Sequence, residues 1–162
     1  PMIAAVKGIC FTVAIELMLA ADIAVAADNC RFKQMEVQRG IMPSGGATLR
    51  MRERAGVGDA MVHLLTGDEF DSAEALRCHY VHQVVPVAKV LDAAVKLARR
   101  IAEQAPLAVV ATRRNVMKAL EQGQAAAVAD LLPEQQRLAK TDDAAEGVRS
   151  FVEKRPARFT GR

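Results

Sequence analysis

Two short apolar runs flank a stretch of helix-forming residues at the start of the chain, and this pattern restricts the fold more than any other feature. Ile3-Ala4-Ala5-Val6 ends at Gly8, and Asp22-Ile23-Ala24-Val25-Ala26-Ala27 follows the apolar stretch from Ala14 to Ala21. Unbroken apolar runs of this length suit strands covered on both faces, as in parallel sheets. Strand, helix and strand in that order predict a βαβ unit with a right-handed crossover. Ligand crevices in such units lie beyond the carboxyl ends of the strands, which points to residues 8–16 as a potential site.

The apolar stretch from Met2 to Ala27 does not read as a membrane span, because Lys7, Glu16 and Asp22 interrupt it and Gly8 punctuates it. Its hydrophobicity belongs to a core. Over 162 residues, 51% are hydrophobic but only 4% aromatic, with no Trp, so alanine and the aliphatics carry the core and helix is favoured over a β-sandwich. A helix-rich α/β chain is expected.

Further along, Pro43-Ser44-Gly45-Gly46 breaks the chain before a helix over Thr48 to Ala55, and Gly56 and Gly58 break it again before a helix over Asp59 to Leu65. Thr66-Gly67 ends that helix. Ser72 is placed to cap a further helix, and Val81 to Val85 reads as a short strand closed by Pro86. From Val90 the pattern is helical. Leu91, Ala94, Val95, Leu97, Ala98 and Ile101 form one apolar face, Pro106 opens a new helix, and helices over Gln124 to Lys140 and Ala144 to Glu153 follow.

Function classes can be trimmed from charge and cysteine usage. The net charge of +3 comes from 22 basic against 19 acidic residues, interleaved and without an aromatic stacking platform, so nucleic-acid binding is not implied. Cys10, Cys30 and Cys78 are too far apart for a disulfide framework or a CxxC zinc motif, which suits a reducing, cytoplasmic setting. His63, His79 and His82 show no metal-ligand spacing with carboxylates, and no metal is expected. Gly45-Gly46 lacks the lysine of a P-loop. Glu16 and Glu36 each follow a break in an apolar segment. Paired carboxylates can divide acid and base duties when their surroundings separate their proton affinities. Spacing alone favours solvated or salt-bridged glutamates, since most carboxylates are surface groups.

A longer set of landmarks narrows this choice. Ala4-Ala5-Val6-Lys7-Gly8, Glu16-Leu17, Ala21-Asp22-Ile23, Phe32, Glu36, Gly40-Ile41, Pro43, Gly46, Thr48 and Arg50 occur in order. Leu65-Thr66-Gly67, Val84-Val85-Pro86, Asp143-Ala144-Ala145-Glu146-Gly147 and Phe151-Val152-Glu153-Lys154-Arg155 complete the series. Together they resemble the enoyl-CoA hydratase/isomerase (crotonase) family across essentially the whole chain. The part resembled is the C-terminal portion of the family's fold, and a complete form with more N-terminal residues is expected.

The resemblance implies a partial crotonase-like (ClpP/crotonase) ββα spiral over residues 1–88, with a helical trimerisation region over residues 89–162. It also implies a homotrimer or hexamer acting on an acyl-CoA thioester as substrate, without a cofactor and without nucleic-acid or membrane partners. Glu16 and Glu36 match the family's water-activating and proton-exchanging glutamates. The backbone N–H of Val13 matches an oxyanion donor, and Gly8, Thr12, Ala14 and Gly46 line the acyl-CoA pocket. Lys154 matches a position from which a basic side chain can reach a CoA phosphate. Keeping both glutamates favours hydration of a 2-enoyl-CoA; isomerisation, another acyl-CoA reaction and a catalytically silent assembly or binding module remain alternatives.

Two positions depart from the family's pattern. Thr12-Val13-Ala14 stands where glycines are usual, and His79 stands where a glycine commonly ends a helix, so His79 is expected at positive φ.

Overall fold

A computed structural model describes residues 1–162. The chain divides into two compact units, residues 2–97 and residues 98–162, the latter together with Pro1.

The first unit is built from a repeating ββα turn. β1 (Ile3–Val6), β2 (Ile9–Phe11) and α1 (Val13–Ala20) form one turn. β3 (Ile23–Ala27), β4 (Arg31–Lys33), a 3-10 turn at Glu36–Arg39 and α2 (Ala47–Thr66) form the next. β5 (Glu69–Asp71), α3 (Ser72–Arg77) and β6 (Gln83–Val85) begin a third, and α4 (Val90–Ala102) leads out of the unit.

In the first two turns, the first strand joins one sheet and the second joins another. The first sheet has the order β1-β3-β6 and is wholly parallel, with Ile3 opposite Ile23 and Val25 opposite Gln83. The second has the order β2-β4-β5, with Cys10 opposite Phe32 in parallel and Phe32 opposite Phe70 in antiparallel. Gly8, at φ 68°, makes the turn that carries the chain from one sheet to the other.

The predicted βαβ unit is present: β1 and β3 lie side by side and parallel, with α1 between them in sequence. Its all-apolar β3 is sealed, with Val25, Ala26 and Ala27 fully buried, as expected of a strand covered on both faces. Ile15 and Met18 of α1, Phe32 of β4, Met51 of α2, Tyr80 and Val90 pack in the same core.

Several local expectations need correction. The helical stretch Ala47–Thr66 is divided at Gly56 (φ 80°, ψ 171°) as expected, but Gly58 is accommodated without a second break. The α3 cap is Asp71, whose carboxylate accepts the Glu74 N–H at 2.9 Å. Ser72 instead turns inward and donates its hydroxyl to the Ala27 carbonyl at 2.6 Å. A buried hydroxyl needs a partner, and the carbonyl at the end of β3 provides one. His79 does adopt positive φ, at 58°.

The second unit is helical: the end of α4, then α5 (Pro106–Gln122), α6 (Gln124–Leu138) and α7 (Asp142–Glu153). Pro106 sits at the first turn of α5, where its missing N–H costs nothing. Gly123 turns the chain into α6 at φ 87°. Lys118 meets Asp130 at 2.6 Å and Asn115 donates to the Ala127 carbonyl at 2.8 Å, joining α5 to α6. Pro133 lies within α6 without ending it. α7 starts two residues before the predicted Ala144, because Thr141 caps it through the Ala144 N–H at 3.1 Å and Asp142 and Asp143 suit its positive end.

Candidate functional site

The start of α1 lies at the carboxyl end of the second sheet. Thr12 donates its N–H to the Lys33 carbonyl at 2.8 Å, tying the exit of β2 to the exit of β4. Its carbonyl accepts from Ile15 and Glu16, which begins the helix. Thr12 itself is held at φ 52°, ψ −118°, a conformation glycine adopts freely and a β-branched residue does not. The next two N–H groups, of Val13 and Ala14, have no acceptor in the chain. They are the orphan donors of a helix N-terminus, aimed where an anion or a polarised carbonyl oxygen would be stabilised.

Glu16, on the first turn of α1, is only 6% exposed. Its Oε1 accepts the Gly45 N–H at 2.8 Å and the Ala47 N–H at 3.2 Å, so it caps α2 in place of Gly46, which has no side chain to do so. Its Oε2 has no partner in the chain and is not sealed from solvent. Glycine at position 45 is needed for this approach, since an added Cβ would lie 2.2 Å from Oε2.

Glu36 follows the exit of β4 by three residues and is 9% exposed. The Gln34 amide donates to its Oε1 at 3.1 Å, while Oε2 is sealed and unpaired. Gln34 itself is fully buried, and its amide oxygen also lacks a partner. Neither Glu16 nor Glu36 forms a salt bridge. Two largely buried carboxylates thus lack a cation, and each keeps one oxygen without a partner in the chain, sealed in Glu36 and open to solvent in Glu16. A structural carboxylate is normally satisfied, so this pattern points to a water or ligand as the missing partner.

Thr12, Val13, Ala14, Glu16 and the Gly45-Gly46 loop are linked by these bonds, and Glu36 continues from the strand to which Thr12 is tied. Gly8 is not part of this group; it stands at the other end of β2, about 13 Å away by strand rise. Gly46 adopts φ 104° and is covered by Arg50, whose Nη1 donates to the Gly45 carbonyl at 2.9 Å. Lys154 belongs to the second unit, where it ends α7 at φ 53° with its side chain exposed and unpaired.

Sequence reasoning missed two groups. Gln34, which holds Glu36, gives no signal beyond standing two residues before it. His63 has no carboxylate at ligand spacing in the sequence, yet folding brings Glu74 and Cys78 against it. That convergence arises between elements and leaves no trace in linear spacing.

The family description "enoyl-CoA hydratase/isomerase" matches residues 1–162. The chain belongs to the enoyl-CoA hydratase/isomerase family. It is 36% identical to a carnitinyl-CoA dehydratase of Proteus mirabilis and 37% identical to a 2,3-dehydroadipyl-CoA hydratase of Escherichia coli, in each case over 100% of this chain and 64% of the relative. The crystal structure of a probable enoyl-CoA hydratase/isomerase from Mycobacterium abscessus superposes with a TM-score of 0.97 at 46% identity, covering 100% of this chain and 62% of that one. The chain therefore spans slightly under two thirds of these relatives, and its fold is that of the family.

Proposed function

We propose that the protein adds water across the 2,3 double bond of a 2-enoyl-CoA thioester, with Glu16 and Glu36 as its acid and base. The observation that carries this reading is the pair of buried, cation-free carboxylates, Glu36 with a sealed unpaired oxygen and Glu16 with one open to solvent. In the forward direction, a water held between them gives its hydroxyl to the β-carbon and a proton reaches the α-carbon. The thioester oxygen, which carries the negative charge of the intermediate enolate, is stabilised by the free Val13 N–H at the start of α1. Removing one such donor typically costs about 10²–10³ in rate. The same groups run the reverse dehydration, in keeping with the hydratase and dehydratase names of the two curated relatives.

The helical unit would serve assembly. Phe151 is 85% exposed, and Val148 and Val152 on the same helix are also bare, which supports a homotrimer or hexamer with this surface covered. Lys154, at the end of that helix, is assigned to the CoA phosphates.

The test is loss of enoyl-thioester absorbance with crotonyl-CoA for wild type, Glu16→Gln and Glu36→Gln. Each substitution is expected to lower kcat by about 10²–10⁴ with little change in KM, because general acid–base groups act on the transition state. Glutamine at 16 keeps an acceptor for Gly45 and Ala47, so circular dichroism should be unchanged. If both variants keep kcat within a factor of a few, the assignment of the pair is wrong.

A further inference from the structure

Away from the glutamate pair, three side chains from two elements meet within the first unit. His63 stands near the end of α2, while Glu74 and Cys78 lie one helical turn apart, on α3 and at its C-cap. His63 Nε2 is 3.3 Å from Glu74 Oε1. Cys78 Sγ is 3.7 Å from His63 Nε2 and 3.4 Å from Glu74 Oε1. One nitrogen, one oxygen and one sulfur thus form a nearly equilateral triangle. Donors bound tetrahedrally to zinc, at about 2.0–2.1 Å for nitrogen or oxygen and about 2.3 Å for sulfur, stand roughly 3.3–3.6 Å from one another. The triangle is close to that size as it stands.

We propose that His63, Glu74 and Cys78 bind a divalent cation of the zinc class, with a water as the fourth ligand, in a site that fastens the end of α2 to α3. A thiolate and an imidazole select zinc or cobalt over magnesium or calcium, which take oxygen ligands. The two softer ligands are deeply buried, His63 at 5% and Cys78 at 1% exposed. The half-exposed Glu74 gives the ion a way in from solvent.

The surroundings suit a metal-bound trio. The His63 ring is fixed by Phe70, with centroids 4.1 Å apart, and by the edge contact with Tyr80 at 5.8 Å. The Tyr80 hydroxyl is sealed without a partner of ordinary hydrogen-bond geometry, and it lies against the Cys78 thiol. A protonated thiol is a weak acceptor, whereas a metal-bound thiolate would take that O–H. Arg77 forks onto both Glu74 oxygens at 2.7 Å, reaches Asp59 at 3.1 Å and donates to the Cys78 sulfur at 3.3 Å, so it fixes the carboxylate and stands beside both acidic ligands. Once Cys78 is ionised, the thiolate and the carboxylates of Glu74 and Asp59 outweigh the single Arg77 charge, and a divalent ion neutralises the excess. Ligation takes the thiolate, so binding releases the Cys78 proton to solvent.

The chelator-stripped protein is to be titrated with Co²⁺ under reducing conditions and then with Zn²⁺. The expected result is a single tight Co²⁺ per chain with tetrahedral visible bands and a thiolate-to-cobalt charge-transfer band, both abolished by Zn²⁺. Cys78→Ser should remove the charge-transfer band, His63→Gln should weaken Zn²⁺ binding at least about tenfold as a ligand is lost, and Cys10→Ser should change neither. The wild-type spectrum is decisive even if a variant folds poorly. Absence of a thiolate band in wild type, or its persistence in folded Cys78→Ser, would overturn the site and leave a hydrogen-bonded cluster.

Discussion

At the scale of the residue, the site depends on how closely backbone approaches carboxylate. Glu16 reaches its position because residue 45 has no Cβ: an added methyl would meet Oε2 at 2.2 Å and Cδ at 2.8 Å. The backbone at Gly45 does not require glycine, as φ there is not positive. Gly45→Ala therefore acts on the neighbouring side chain and not on the chain's own conformation. The carboxylate must shift, since its other oxygen is held by the Gly45 and Ala47 N–H groups. The expected outcome is a fall in kcat of about 10–100-fold, the size of effect that an ångström of misplacement produces. The midpoint of thermal unfolding should drop by only a few degrees. A variant with full kcat would mean that the Glu16 carboxylate can move without consequence, contrary to its proposed role.

At the scale of the element, α1 begins under strain. Thr12 occupies φ 52°, ψ −118° and its side chain makes no cap hydrogen bond, so nothing local offsets the cost. Such conformations cost about 1–3 kcal/mol in a non-glycine residue. Glycine would remove that cost while losing about 0.5–1 kcal/mol to its freer unfolded chain. Thr12→Gly should thus stabilise the protein by about 1 kcal/mol, raising the melting midpoint by about 2–4 °C for a chain of this size. An unchanged or lower midpoint would show that the threonine methyl or hydroxyl repays the strain.

The elements also show what the sequence could and could not convey. β1, α1 and β3 were legible because unbroken apolar runs have one good burial solution, and the amphipathic and Pro- or Gly-bounded helices beyond Val90 were legible by period and punctuation. β2, β4 and β5 were not. Ile9–Phe11, Arg31–Lys33 and Glu69–Asp71 are too short to show any period, and only pairing with one another makes them strands. Asp71 and Ser72 both suit a cap, and the choice fell to the Ala27 carbonyl, which is distant in sequence. Likewise Glu16 and Glu36 could be singled out as carboxylates in apolar surroundings. Their partners Gly45, Ala47 and Gln34 could not be assigned without the fold.

At the scale of the whole molecule, the titrating groups set how stability should vary with pH, and each unit contributes. His82 lies beside the Arg54 guanidinium, 2.9 Å from its Nε2, and its Nδ1 accepts the Ala24 N–H at 2.9 Å. Partial burial, followed by the Arg54 charge, lowers its pKa below the ordinary 6.5. The unfolded chain therefore takes up a proton at that position before the folded one does, so the His82 contribution is complete above pH 6.5 and is lost as pH falls below it. The carboxylates act lower down. Glu74, forked by Arg77, is held at about 2 against an ordinary 4.5. In the second unit Glu146, paired to Arg155 at 2.6 Å and 2.9 Å, is also held at about 2. Their contributions are present above pH 4.5 and disappear as pH falls from there toward 2. Because the molecule already carries +3 near neutrality, each added proton also increases its self-repulsion. The thermal midpoint should be level above pH 6.5, decline gently below it, and fall steeply under pH 4.5. His82→Gln should flatten the gentle decline, and Glu146→Gln should soften the steep one while lowering the plateau. A wild-type midpoint that stays level from pH 7 to pH 5 would remove the role given to His82. An unaltered steep limb in Glu146→Gln would remove the role given to the Glu146–Arg155 pair.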